Sequence, residues 1–370
     1  MRHLTHALVA PVPGTERCIH SFHFGPAESG RKVYIQASLH ADELPGMLTA
    51  WHLKQRLKAL EAAGELLAEV VLVPVANPIG QDQQVADVHL GRYELETGQN
   101  FNRRFRDMTA QVEAVIAERL GDDVAANQAL VREAFRNALA AETASSQLDS
   151  QRLVLQRLAC DAEVVLDLHC DFDAVAHLYT TPEAWPQVEP LARYFGSEAS
   201  LLATDSGGQS FDECFTLLWW NLNQRFGERL PMGSLSVTLE LRGQLDVRDE
   251  LAGADAAAIL EYLRHQGYLA GTAAPLPPLR QPATPLAAVE PVATRQGGVL
   301  VLKAQVGERI EVGQVLALVI DPISDQVEEV RSAVAGILYA RSNRRMATAG
   351  MVIAHVAGTE AYRSGYLLSP

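Results

Sequence analysis

The sequence predicts an α/β domain on a mostly parallel sheet with helices on both faces, followed by a small all-β domain. Three observations carry this expectation. Over the first two-thirds of the chain, short apolar runs alternate with longer stretches of helical composition. Several runs are apolar at every position, as strands buried on both faces are. A Pro-, Ala- and Thr-rich break then leads into a segment punctuated by glycine.

The elements follow in chain order. Val33 to Leu39 (VYIQASL) reads as the first strand, and residues 44–60 as a helix. Val70 to Val75 (VVLVPV) is a second buried strand, closed by the turn Ala76-Asn77-Pro78. Residues 110–160 are rich in Ala, Leu, Glu, Gln and Arg, all good helix formers, and predict one or two helices. Glu163 to Leu168 (EVVLDL) is a third strand, Leu235 to Leu239 (LSVTL) a fourth, and Asp249 to His265 a further helix. Trp219-Trp220 falls in an amphipathic stretch and is expected in the core. Residues 271–291 read as a linker or an extended crossing segment. Beyond it Gly297-Gly298, Gly307, Gly313, Gly336 and Gly350 separate short β runs. The expected division is residues 1–275, a linker at 276–291, and a β domain at 292–370.

Composition narrows the class. With 370 residues, 48% of them apolar, the chain can bury a large core. A net charge of −14 argues against nucleic acid, whose phosphates need a surplus of Lys and Arg, but leaves a small anionic substrate open. Cys18, Cys160, Cys170 and Cys214 are scattered, which suits reduced thiols. The opening MRHLTHALVAPVPG lacks the apolar run of a signal peptide, and no stretch reaches the roughly 18 apolar residues of a membrane span. The expectation is a cytoplasmic globular protein.

Chemistry gathers at the strand ends, where open α/β sheets bind ligands. The first strand runs into His40-Ala41-Asp42-Glu43, the third into His169-Cys170-Asp171, the fourth into Glu240. Asp167, two residues before His169, points to the same side of its strand. Two histidines and a carboxylate, with a fourth position for water, form a common catalytic zinc set. A carboxylate outside that set must move the proton, and Glu240 is the candidate. The spacing is neither HExxH nor its inverse, because Leu44 stands where a second histidine would be. Blander readings stand beside these. Glu43 could be a helix-start carboxylate, His169 a hydrogen-bonded core histidine, and Glu240 an ion-pair partner at the surface. His3, His6, His20 and His23 read as edge or surface residues, His52 as helical, and His177 as structural though near the pocket. Ser206 to Ser210 is a loop with no P-loop lysine after it.

In this order the residues resemble the succinylglutamate desuccinylase and aspartoacylase family, relatives of zinc carboxypeptidases. The resemblance rests on SLHADELPG (Ser38 to Gly46), Ala76-Asn77-Pro78, Asn100-Phe101-Asn102-Arg103-Arg104-Phe105, Asp167-Leu168-His169 and Glu240-Leu241-Arg242-Gly243. It implies a zinc-carboxypeptidase-like α/β/α sandwich holding one Zn²⁺ per chain on His40, Glu43 and His169. It also implies Glu240 as general base, Asn102 and Arg103 as the grip on a substrate carboxylate, and Arg92 as the oxyanion's partner. The implied reaction is hydrolysis of a small N-acyl amino acid or related linear amide by zinc-activated water. A peptide carboxypeptidase and a non-catalytic metal-bearing protein are the rivals. No nucleic-acid or membrane partner is expected, and a homo-oligomer is allowed. Two departures fall near the substrate: the usual DLNR reads Asn100-Phe101-Asn102-Arg103, and Leu241-Arg242 lengthens the step from Glu240 to Gly243. The glycine-rich end resembles a biotinyl or lipoyl-like domain but reads Ile320 to Asp325 where that domain's modified lysine belongs.

Overall fold

The computed structural model describes residues 1–368. The main sheet holds β1 (Arg2–Ala7), β2 (Cys18–Phe24), β3 (Lys32–Ala37), β4 (Glu69–Val73), β5 (Val164–Asp171), β6 (Ala176–Thr180), β7 (Ala199–Leu202), β8 (Leu235–Gly243) and β9 (Thr284–Pro285). Their order across the sheet is β1-β2-β4-β3-β5-β8-β6-β7-β9. The centre, β4-β3-β5-β8, is parallel. The β1–β2 hairpin and the β2–β4 and β8–β6 pairs are antiparallel, and β7 pairs in parallel with β6 and β9. The Pro-rich stretch thus crosses the molecule and supplies the sheet's edge at Thr284–Pro285.

Strand periodicity divides the core in two. Val33, Ile35, Val70, Leu72, Val164 and Leu166 face one layer, built from α1 (Leu44–Ala62), α5 (Trp185–Phe195) and α7 (Asp249–His265). Tyr34, Val71, Val73 and Val165 face the other, built from α2 (Thr109–Ile116), α3 (Val124–Ala141), α4 (Gln147–Ala159) and α6 (Glu213–Phe226). The predicted α/β/α sandwich is therefore present. The 110–160 stretch holds three helices rather than one or two. Asp123 caps one by accepting from Ala125 and Ala126 N–H, and Ser146 caps the next by accepting from Asp149 N–H. Trp219 is buried on α6 as expected, whereas Trp220 is only half-buried.

Two strand bounds move in ways that matter for the site. β3 ends at Ala37, because Ser38 turns into the left-handed region (φ 64°), and Leu39 and His40 fall in the connection. β5 and β8 continue past their expected ends, so His169 and Glu240 sit within strands, directly opposite one another in parallel register. The early histidines lie on the β1–β2 edge hairpin, where His23 meets Glu69 at 3.0 Å and His3 meets His20 at 3.1 Å.

The glycine-rich end forms two four-stranded antiparallel layers. One pairs Val289–Ala293, Val352–Ala357, Gly336–Arg341 and Arg309–Ile310; the other pairs Val327–Arg331, Val315–Ile320, Gly298–Leu302 and Met346–Ala347. Leu300, Leu316, Val319, Leu338, Ile353 and Val356 fill the space between them. A short strand, Asp173–Ala174, leaves the end of β5 and pairs with Gly336–Arg341, and Arg341 Nε clasps Asp173 Oδ2 at 2.7 Å. A second apolar cluster, with Leu201, Leu286, Val289 and Tyr339, seals this seam. Among the described residues no helix is long and apolar enough to cross a membrane.

Candidate active site

Glu43 stands at the N-terminus of α1, as the helix-start reading expects, but makes no capping bond to the helix and turns its carboxylate to two histidines. Its Oε1 lies 2.8 Å from His40 Nδ1 and its Oε2 2.8 Å from His169 Nδ1, with Cys170 N–H donating to Oε2 at 3.1 Å. Close packing of α1 on β5 brings them together. A Cβ on Gly46 would lie 2.8 Å from the Leu168 carbonyl oxygen, so only glycine allows the helix to come this near. A Cβ on Gly91 would lie 2.1 Å from Asp42 N, and this close approach seats Arg92 over the cluster. Arg92 Nη1 is 3.4 Å from both Glu43 Oε1 and His40 Nδ1.

The histidines' outer nitrogens each face an oxygen. His40 Nε2 faces Asn100 Oδ1 at 2.9 Å, an oxygen fixed as acceptor because Asn102 N–H also donates to it. His169 Nε2 lies 2.9 Å from Asp167 Oδ2, close but poorly directed for a hydrogen bond. If each Nε2 carries the proton toward its acceptor, both Nδ1 atoms present bare lone pairs toward Glu43. Two lone pairs and a carboxylate facing one another repel unless a cation lies between them or the rings take extra protons. The ligand atoms of His40, Glu43 and His169 all lie within 4.8 Å of one another, and the three residues are buried. The donor set and its outer partners fit a zinc ion, with Asn100 and Asp167 orienting the rings.

Charge follows the same logic. Burial opposes Glu43's charge, but His40 and His169 outweigh it and hold its carboxyl well below the usual range. Burial likewise opposes a charge on His169, and Asp167 and Glu43 overcome it, raising its pKa well above the ordinary value. His40 is pushed down by burial and by Arg92. Glu240 lies beside His169 and is raised well above a normal carboxyl by burial and by the Glu43 charge. Its Oε2 is sealed from solvent without a partner. The surface ion-pair reading fails, since Arg242 gives both guanidinium nitrogens to Asp255, at 2.7 and 2.9 Å.

All the singled-out residues meet in one cavity of about 550 Å³: His40, Glu43, His169, Glu240, Arg92, Asn102 and Arg103 line it. Asn102 Oδ1 accepts from Phe211 N–H at 2.8 Å, and Arg103 Nη1 donates to Asn102 O at 2.7 Å, which holds the pair to the wall. The far wall was not foreseen residue by residue. Tyr339, Arg341, Ser342 and His355 come from the C-terminal β layers, and Asp171 and Tyr179 from β5 and β6. For Asp171 and Tyr179 a signal existed, because each lies two residues beyond a histidine on the same strand face. For the others there was none.

The chain has recognisable relatives. The family model described as the succinylglutamate desuccinylase/aspartoacylase catalytic domain matches residues 29–149. A Shewanella amazonensis protein described as of that family is 25% identical, with a TM-score of 0.85 over 96% of this chain and 98% of its own. A Shewanella frigidimarina protein so described shares the fold at 24% identity, TM-score 0.84, over 96% and 98%. The ectoine utilization protein EutE (DoeB) of Ruegeria pomeroyi shares it at 16% identity, TM-score 0.68, over 97% and 95%. No curated protein matches the sequence. The chain is thus similar to this family's catalytic domain over residues 29–149 and to the fold of proteins so described along nearly its whole length, with a cluster able to hold a metal ion lining the cavity.

Proposed function

We propose that this protein hydrolyses the amide bond of a small N-acyl amino acid or related compound, with one zinc ion held by His40, Glu43 and His169. The observation that carries this reading is the meeting of two histidine Nδ1 atoms with the Glu43 carboxylate, beside the unpartnered Oε2 of Glu240. When bound there, zinc supplies a Lewis acid that polarises a carbonyl and lowers the pKa of a water to about 7.

The chain's own residues do the rest. Glu240, lifted out of the ordinary carboxyl range, is suited to take a proton from water and deliver it to the leaving nitrogen. Arg92, held charged beside Glu43, can donate to the oxygen on which negative charge develops. Arg103 offers a fixed guanidinium to a substrate carboxylate, with Asn102 beside it. The C-terminal β layers roof the cavity, which supports a role in excluding water and turning away long peptides.

The test is a panel of N-acyl amino acids and short peptides assayed with zinc-loaded protein. We expect turnover of acyl amino acids, and its loss in Glu240→Gln with zinc retained. Turnover confined to peptides would move the assignment to a carboxypeptidase, and none at all with zinc bound would favour a binding protein.

A further inference from the structure

The strand that carries Glu240 changes face directly after it. On β8, Ser236, Thr238 and Glu240 line the cavity, while Val237, Leu239 and Leu241 belong to the core layer with Ala256 and Ile259 of α7. Regular alternation would therefore put Arg242 on the cavity side, next along from Glu240. The pairing with β5 slips before that happens. Glu240 is opposite His169 and Gly243 opposite Asp171, so β8 takes three steps where β5 takes two. The extra residue makes a β-bulge, with Arg242 in the left-handed region at φ 70°. Its guanidinium crosses to the α7 side, where Nη1 and Nη2 meet the two Asp255 oxygens at 2.9 and 2.7 Å. Its Cζ lies 5.8 Å from the centroid of the Phe195 ring on α5, in the same core layer.

This arrangement is held against a cost. A left-handed backbone is unfavourable for a long side chain such as arginine's. What offsets it is a bidentate, charge-assisted pair with a buried carboxylate, the geometry a guanidinium fork fits best. Asp246 also lies near Arg242, but it is engaged by the Gly243 N–H at 3.0 Å and by Arg248 at 2.9 Å. Asp255 is thus the anchor that keeps Arg242 on the α7 side. On the cavity side, Glu240 Oε2 is sealed from solvent without a partner. An arginine in regular alternation would stand beside it. A guanidinium seated there would occupy the oxygens that must take a proton from water and pass it on.

We infer that Asp255 is a positioning residue for the hydrolysis: by holding Arg242 across the bulge, it keeps a guanidinium off the general base Glu240. This rests on the amide-hydrolase reading and deepens it, since turnover then depends on a residue of the helix layer on the far side of the sheet from the cavity.

The experiment assays zinc-loaded full-length protein on N-acetyl amino acids, beside Asp255→Ala and beside Asp255→Ala combined with Arg242→Gly, glycine being at ease in the left-handed region. Asp255→Ala should lower kcat by about 10- to 100-fold, the scale of a misplaced group at the reacting atoms, with KM and zinc content little changed. Removing the arginine as well should restore most of that loss. A pair that only braced the fold would shift the melting temperature and leave the kcat of folded, zinc-loaded protein alone. Asp255→Asn, which keeps the shape and removes the charge, should show the same split in smaller measure and serves if the alanine variant does not fold. A crystal structure of the variant reads the inference without turnover: Arg242 should leave α7 and approach Glu240. An Arg242 that stays on the α7 side, or a loss of kcat that the second substitution does not restore, overturns the inference and leaves the hydrolase. No hydrolysis by the unaltered protein, with Arg242 beside Glu240 in the variant, would sink the hydrolase reading and leave the hold of Asp255 on Arg242 standing.

Discussion

The two ends of the central sheet both bury charge, but they settle it differently. At the amino ends of the strands each charge has an opposite partner. Lys32 Nζ meets Asp161 at 2.6 Å, and Arg31 and Tyr268 reach Glu163 at 3.3 and 3.0 Å. At the carboxyl ends Glu43 lies between His40 and His169 with Asp167 against the latter, and Glu240 Oε2 and His177 Nε2 have no partner. Since buried polar groups without a partner are costly, the first end is satisfied within the chain and the second is not. Polar imbalance of this kind marks the working end of the fold more sharply than conspicuous residue types do.

The comparison can be broken most directly at Glu240. Glu240→Gln should lower kcat by about 10² to 10⁴ with zinc content unchanged by elemental analysis; loss of zinc instead would make Glu240 a ligand. Next in size is the response to metal. Saturating zinc at roughly 1,000 times its Kd should stabilise the protein by about 4 kcal/mol, and a chelator should remove that increment. His169→Ala should abolish the difference, which a melting curve with and without zinc reads directly. Asp167→Asn, acting through the His169 ring, should weaken zinc by about 10- to 100-fold while the fold persists. Full zinc affinity in that variant would remove Asp167 from its orienting role.

The smallest effect belongs to the other end. Asp161 is held below the usual carboxyl range, the cost of burial being outweighed by Lys32. Folding lowers its pKa, so the stability it contributes is present above the unfolded pKa and is lost as pH falls through the carboxylate range. Asp161→Asn should cost about 1 to 3 kcal/mol at neutral pH by leaving Lys32 unpaired. Urea titrations should find that gap closing in acid, and zinc content unaltered. A gap that stays constant with pH would show that packing, not charge, accounts for the loss.

Much of this was legible in the sequence because the relevant signals are local. β3, β4, β5 and β8 announce themselves as apolar runs, and His40 and Glu43 share one turn of chain. The three-helix division of residues 109–159 was missed because composition reports helix propensity, whereas the breaks depend on the caps Asp123 and Ser146. Arg242 illustrates a different limit. It stands two residues from Glu240 in sequence, yet its guanidinium pairs with Asp255 on α7.

What the sequence by itself determined is the α/β/α class, the change to β structure after the Pro-rich stretch, and the residues able to hold the metal, because periodicity and residue chemistry are written within a few positions of each other. Tertiary structure alone decided which acceptor fixes each histidine, how near α1 comes to β5 at Gly46, and what roofs the cavity. Those depend on contacts between residues far apart in the chain, such as Asp173 with Arg341 and His40 with Asn100. Periodicity shows only which face a side chain occupies; the strand order and the packing of the β layers decide what it meets there.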